Sequence, residues 1–134
     1  MSKFKIQSSN EAQMTNIKPD KPFDLEERTA KFGESVIAFM KTLPNTTILL
    51  PLMNQLVRSA TSIGANYMEA DGAESKKDFL HKIAICKKEA KETRHWLRMI
   101  AAAYPEKARE CRILWSEAQE LALIFSSIVK RQAR

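Results

Sequence analysis

The sequence predicts an all-α fold, an up-down-up-down antiparallel four-helix bundle. Three observations carry this expectation. Apolar residues recur at alternating spacings of three and four along four stretches, the pattern of helices packed against helices. Sustained alternation with a period of two, which a half-buried strand would show, is absent. The breaks between stretches are short and fall at Pro44-Asn45, Asp71-Gly72 and Tyr104-Pro105, so each helix turns back on the one before. Three Gly and five Pro in 134 residues leave little material for a loop-rich or all-β design. A chain of this length suits one domain with a real core.

Residues 1–23 are rich in Ser, Asn, Gln and Lys and hold two Pro. They read as a polar tail with no core of its own. The bundle is expected over 24–131, followed by a basic end. The first helix is expected from Asp24, a good N-cap completed by Glu27 three residues on. Its seam is Leu25, Thr29, Phe32, Val36, Phe39 and Leu43. Ile37 and Met40 widen the apolar face. The second helix is expected to start between Thr47 and Pro51, with Pro51 in its first turn, where a missing N–H costs least. Its seam is Leu49, Met53, Leu56, Ala60, Ile63, Tyr67 and Ala70. The run Ser59 to Asn66 is nearly all small residues, a face that lets another helix approach closely. Gly64 costs about 1 kcal/mol in helix propensity against Ala, and tight packing there would compensate.

The third helix, Ser75 to Ala103, organises the chain. Ser75 and Asp78 resemble a capping box. One stripe, Phe79, Ile83, Cys86, Ala90, Thr93, Leu97 and Ile100, makes the seam. A second stripe is basic: Lys87, Lys91, Arg94 and Arg98, with Lys77 extending it. The fourth helix, from Pro105 to Arg131, has the seam Cys111, Leu114, Ala118, Leu121, Phe125 and Ile128, flanked by Trp115, Ala122 and Val129. Leu123 and Ile124 lie on its far side, with no evident place inside a single bundle, and suggest a subunit interface.

The formal net charge is +6. Residues 76–98 hold eight Lys or Arg against Asp78, Glu89 and Glu92, so most of the excess sits on the third helix. Such a field attracts phosphate polymers or anionic surfaces unless neighbouring helices or another subunit neutralise it. No run approaches the roughly 20 apolar residues of a membrane span, and no secretory signal begins the chain. Both cysteines fall at core positions too far apart in height to bridge, as expected of buried thiols in a reducing cytoplasm.

Tests for catalytic chemistry find little. Glu92-x-x-His95 and Asp78-x-x-His81 echo the spacing of di-metal bundles, but both motifs lie on one helix and both His fall on its outer face. There is no Cys-x-x-Cys, phosphate loop or nucleophile elbow. No enzyme and no cofactor are expected. Asp78–Lys82 and Lys88–Glu92 have the spacing of helix-surface ion pairs. Arg58, Ser62, Asn66 and Glu69 recur at four, four and three on the second helix. They read as an inter-helix hydrogen-bonding row facing the third helix or another subunit, with a solvated face as the alternative. Lys87 to Arg98 spans about 16 Å, enough to track several backbone phosphates. No aromatic platform is evident beside the stripe, since Trp96 lies near the seam, so contact with the backbone is expected and base reading is not.

The run Gln55-Leu56-Val57-Arg58-Ser59-Ala60-Thr61-Ser62-Ile63-Gly64-Ala65-Asn66-Tyr67-Met68-Glu69-Ala70, with Ser75-Lys76-Lys77-Asp78-Phe79 and Lys88-Glu89-Ala90-Lys91-Glu92-Thr93-Arg94-His95-Trp96-Leu97, resembles a bacterial family known as the four-helix bundle proteins. Its members were first noticed in intervening sequences of large-subunit ribosomal RNA genes, and some carry a ribosomal-protein label. The resemblance covers about residues 32–128. It implies an up-down bundle assembling as a homopentamer. It also implies a fold similar to the accessory variability protein of diversity-generating retroelements, a basic pentamer that binds nucleic acid and works with a reverse transcriptase. The resemblance transfers no catalytic residue.

Two functions are therefore expected. One is a non-enzymatic, homo-oligomeric nucleic-acid-binding accessory protein, with Lys77, Lys87, Lys91, Arg94 and Arg98 on RNA or DNA phosphates and a reverse transcriptase as a further partner. The other is an oligomeric protein–protein scaffold whose positive face meets an acidic partner.

Overall fold

Four long helices account for most of residues 24–132, the part of the chain described by the computed structural model, and no strand occurs among these residues. They are α1 (Leu25–Met40), α2 (Leu49–Asp71), α3 (Lys76–Ala103) and α4 (Ala108–Gln132), with a 3-10 turn at Pro105–Lys107 leading into α4. The expected polar tail at 1–23 lies outside the described residues, as do the last two residues.

The helix ends follow local chemistry. Ser75 caps α3, its Oγ accepting the Asp78 N–H at 3.0 Å. Tyr104 closes α3, its N–H donating to the Ile100 carbonyl at 2.8 Å. Its own backbone then leaves the helical region, as a residue before proline does. Pro51 sits in the first turn of α2, and Thr46 Oγ1 accepts the Leu49 N–H at 3.1 Å. Asp24 corrects the expectation of a capping box on α1. Its backbone is not in the extended region that a capping side chain requires, and it makes no side-chain cap bond. Regular helix in α1 also ends at Met40, three residues short of the expected Leu43, although Leu43 is still buried.

Cross-helix pairs show the topology. Ser59 meets Thr93, Ile63 meets Cys86 and Glu69 meets Lys82, so α2 and α3 run antiparallel. Gly33 faces Ala60 and Thr61 while Gly64 faces Thr29, so α1 and α2 do too. The seam residues form one core. Val36, Leu56, Ala60, Ile63, Ile83, Cys86, Ala90, Leu97, Ile100, Leu121 and Phe125 have no exposed surface. Burying this apolar surface is the main favourable term in the fold. Within the core, the hydroxyls of Thr93 and Ser59 share a 2.9 Å hydrogen bond, so neither polar group is stranded. Cys86 and Cys111 are free and buried, and burial pushes both thiols up to about 12.

Helix α1 is the least embedded. It packs mainly on α2 and meets α4 more narrowly. Arg28 fastens the second contact: its guanidinium donates to both Glu117 carboxylate oxygens at 2.8 and 3.0 Å and also to Glu120. Burial opposes the Arg28 charge, but these two carboxylates outweigh it and raise its pKa.

Candidate nucleic-acid interface

The surface of α3 divides into two flanks on either side of its buried seam. One flank faces α2 and is neutralised. Arg58 of α2 bridges Glu89 (3.3 Å) and Glu92 of α3, and Lys82 of α3 pairs with Glu69 of α2 at 2.5 Å. These are not the ion pairs that i, i+4 spacing suggests. Lys82 reaches across to Glu69 instead of Asp78, and Glu92 is taken by Arg58 instead of Lys88. A facing helix offers a partner at closer range than the next turn does. Trp96 belongs to this flank, its Nε1–H donating to Glu92 at 2.9 Å.

Glu92 is therefore held below the usual carboxylate range, first by the Trp96 hydrogen bond and then by Arg58. A depressed folded-state pKa adds stability above the unfolded pKa, and that stability is lost as pH falls through the folded one. Glu92→Gln should accordingly flatten the acid limb of the stability–pH curve, measured by urea unfolding from neutral pH downward. The difference from wild type should be largest at neutral pH and vanish in strong acid.

Four residues of α2 form the polar row that the sequence singles out. Arg58 and Glu69 reach α3 as above. Ser62 and Asn66 bond to each other along α2, with Asn66 Nδ2 donating to the Ser62 carbonyl and Oγ, each at 2.9 Å.

The other flank of α3, toward α4, carries the basic stripe. Lys77, Lys91 and Arg98 are exposed, and Lys87 is half-buried. None of these four has an ion pair among the described residues, whereas four acids of α3 and α4 are engaged elsewhere. Glu89 and Glu92 serve Arg58, and Glu117 and Glu120 of α4 serve Arg28 on the far side of that helix. The stripe thus stays unneutralised within the bundle.

Arg94 stands apart from the other four. It turns to α4, where its NH1 donates to Gln119 and its guanidinium lies over the Trp115 ring, 5.3 Å from the centroid. Its Nε–H is buried without an acceptor. Trp115 is 37% exposed. An aromatic does accompany the stripe, contrary to the expectation that none would. Nothing in the sequence of α3 marks it, because Trp115 comes from the adjacent helix. Its place as a flank residue of α4 was visible, but its partner across the groove was not.

The apolar pair on α4 separates. Leu123 is 59% exposed, as an interface residue would be. Ile124 is half-buried and packs against the core, which corrects its placement beside Leu123 on the far face. Met68 on α2 and Ile48 before it are also strongly exposed. Both His are exposed, and no cluster of His, Cys, Asp or Glu among the described residues gathers to hold a metal ion. No helix among them is long and apolar enough to cross a membrane.

Comparison with known proteins places this arrangement in context. A search among curated proteins gives no match. A crystal structure of a protein of unknown function from the S23 ribosomal protein family of Bacteroides thetaiotaomicron is 30% identical, with a TM-score of 0.72. The alignment covers 78% of this chain and 97% of that one, so the two share the helical framework nearly end to end. The family model described as 23S rRNA-intervening sequence protein matches residues 22–127, all four helices but for the last turn of α4. On that match the chain belongs to the 23S rRNA-intervening sequence protein family.

Proposed function

We propose that the protein is a non-enzymatic, homo-oligomeric nucleic-acid-binding protein whose α3–α4 face holds backbone phosphates. One observation carries this reading: Lys77, Lys87, Lys91 and Arg98 line one flank with no ion-pair partner among the described residues, while Glu89 and Glu92 of α3 and Glu117 and Glu120 of α4 pair with Arg58 and Arg28 on the opposite flanks. Cations left in that state bind phosphate by releasing its condensed counterions, with little regard for sequence. The exposed Leu123, Met68 and Ile48 support self-association. Several copies would then multiply a modest patch by avidity. The homopentamer and the reverse-transcriptase partner implied by the family resemblance belong to the same proposal.

The test is a titration of labelled structured RNA and duplex DNA across salt, with mass by light scattering on the same sample. Expected are a mass several times the 15.3 kDa chain and an affinity that falls linearly with salt on logarithmic axes. No binding at low salt overturns the nucleic-acid reading. An acidic protein retained after nuclease treatment would then favour the scaffold.

A further inference from the structure

The stripe explains attraction to phosphate, but it does not explain Trp115. Trp115 keeps 37% of its surface exposed even with an arginine over one side. Its neighbours hold it in a particular way. Arg94 is fixed by Gln119, and its guanidinium lies over the indole, so the two planar groups support one another. Lys91 precedes Arg94 by three residues and Arg98 follows it by four, both within about one helical turn on the same side. Lys91 and Arg98 thus put an unpaired cation one turn before and one turn after the arginine that meets the ring, an arrangement suited to a base with its neighbouring phosphates.

We infer that Trp115, held by Arg94, is a stacking platform for an unpaired nucleobase, so that the α3–α4 face takes single-stranded or looped nucleic acid in preference to duplex. This rests on the phosphate-binding reading and deepens it. In a duplex the faces of the bases are occupied by their neighbours, and the indole gains nothing unless a base is unstacked. In a single strand or a loop the faces are free. Trp96 does not share this role, because its indole N–H is tied to Glu92 on the α2 flank.

Binding of one oligonucleotide sequence, as a single strand and as a blunt duplex, tests the inference. Trp115→Ala should lower single-strand affinity by roughly 5- to 150-fold, the range for losing one base–aromatic stack, and leave duplex affinity unchanged. Trp115→Phe should keep most of the single-strand affinity. In a Trp96→Phe protein, where Trp115 is the sole tryptophan, the single strand should quench fluorescence and the duplex should not. Equal losses on both forms, or none, overturn the platform. So does a change in oligomer mass on Trp115→Ala, which would assign the ring to a contact between copies. The two readings fail separately. If charge reversal at Lys91 and Arg98 weakens both forms while Trp115→Ala weakens neither, the phosphate face stands and the platform falls. If charge reversal weakens neither, the phosphate face itself falls.

Discussion

Lys91→Glu combined with Arg98→Glu should weaken binding to RNA and DNA alike by at least about tenfold at low salt, and should flatten the dependence of log affinity on log salt by about 2. Each cation on a phosphate releases roughly one counterion, so losing two removes two units of slope. The choice of residues follows from the structure. Arg94 sits at the centre of the stripe in sequence, but its guanidinium is committed to Gln119 and Trp115. Replacing it would disturb the α3–α4 contact and confuse a folding defect with a binding one. Lys91 and Arg98 are exposed and make no ion pair among the described residues, so their reversal should leave the melting temperature nearly unchanged. Lys41→Glu is the control for Lys91→Glu. It makes the same change in net charge at the exposed end of α1. If the control weakens binding as much as Lys91→Glu does, the attraction comes from overall charge and no particular face is involved.

What the sequence could and could not reveal follows from the range of the interactions. The seams were legible because burial repeats every three or four residues, and a helix brings those residues to one face whatever surrounds it. The Ser75 cap was legible because donor and acceptor lie three residues apart. The Asp24 cap failed for a complementary reason: the residue type was right, but a cap also needs an extended backbone, which residue type does not fix. The charge stripe was legible as a stripe, while its division of labour was not. That Arg58 takes Glu89 and Glu92, that Arg28 takes Glu117 and Glu120, and that Arg94 meets Trp115 all depend on the register between helices. That register is set by the turns and the packed core. The 3-10 turn at Pro105–Lys107, together with the core, sets which residue of α4 stands opposite Arg94. Ile124 was misplaced in the same way: lying off the seam of one helix is not facing solvent when the core reaches that side.

Gly64→Leu should be among the most destabilising single substitutions on the bundle surfaces, costing about 1–3 kcal/mol or more by overpacking. For a domain of this size that is a fall in melting temperature of roughly 4–15 °C. A Cβ on Gly64 would come within 3.2 Å of Thr29 Oγ1 and 3.5 Å of its Cβ. Thr29 has little freedom to yield. It is buried, and its hydroxyl donates to the Leu25 carbonyl at 2.7 Å. A leucine could be admitted only by lifting α1 from α2, and α1 is already the least embedded helix. The effect should therefore fall on the docking of α1, and with it on the Arg28 bridge to α4. Gly33 gives the contrast. A Cβ there would find Thr61 Cγ2 at 3.7 Å, an ordinary contact, so Gly33→Ala should gain up to about 1 kcal/mol of helix propensity. Gly64→Ala lies between, its propensity gain opposed by the approach to Thr29. In a Thr29→Ala background that opposition disappears, so the two substitutions should couple favourably by about 0.5 kcal/mol or more. Thermal and urea unfolding of the four proteins of that cycle would measure the term. A coupling of zero, with Gly64→Leu melting like wild type, would mean that α1 and α2 do not approach this closely, and that the small residues of α2 serve another partner.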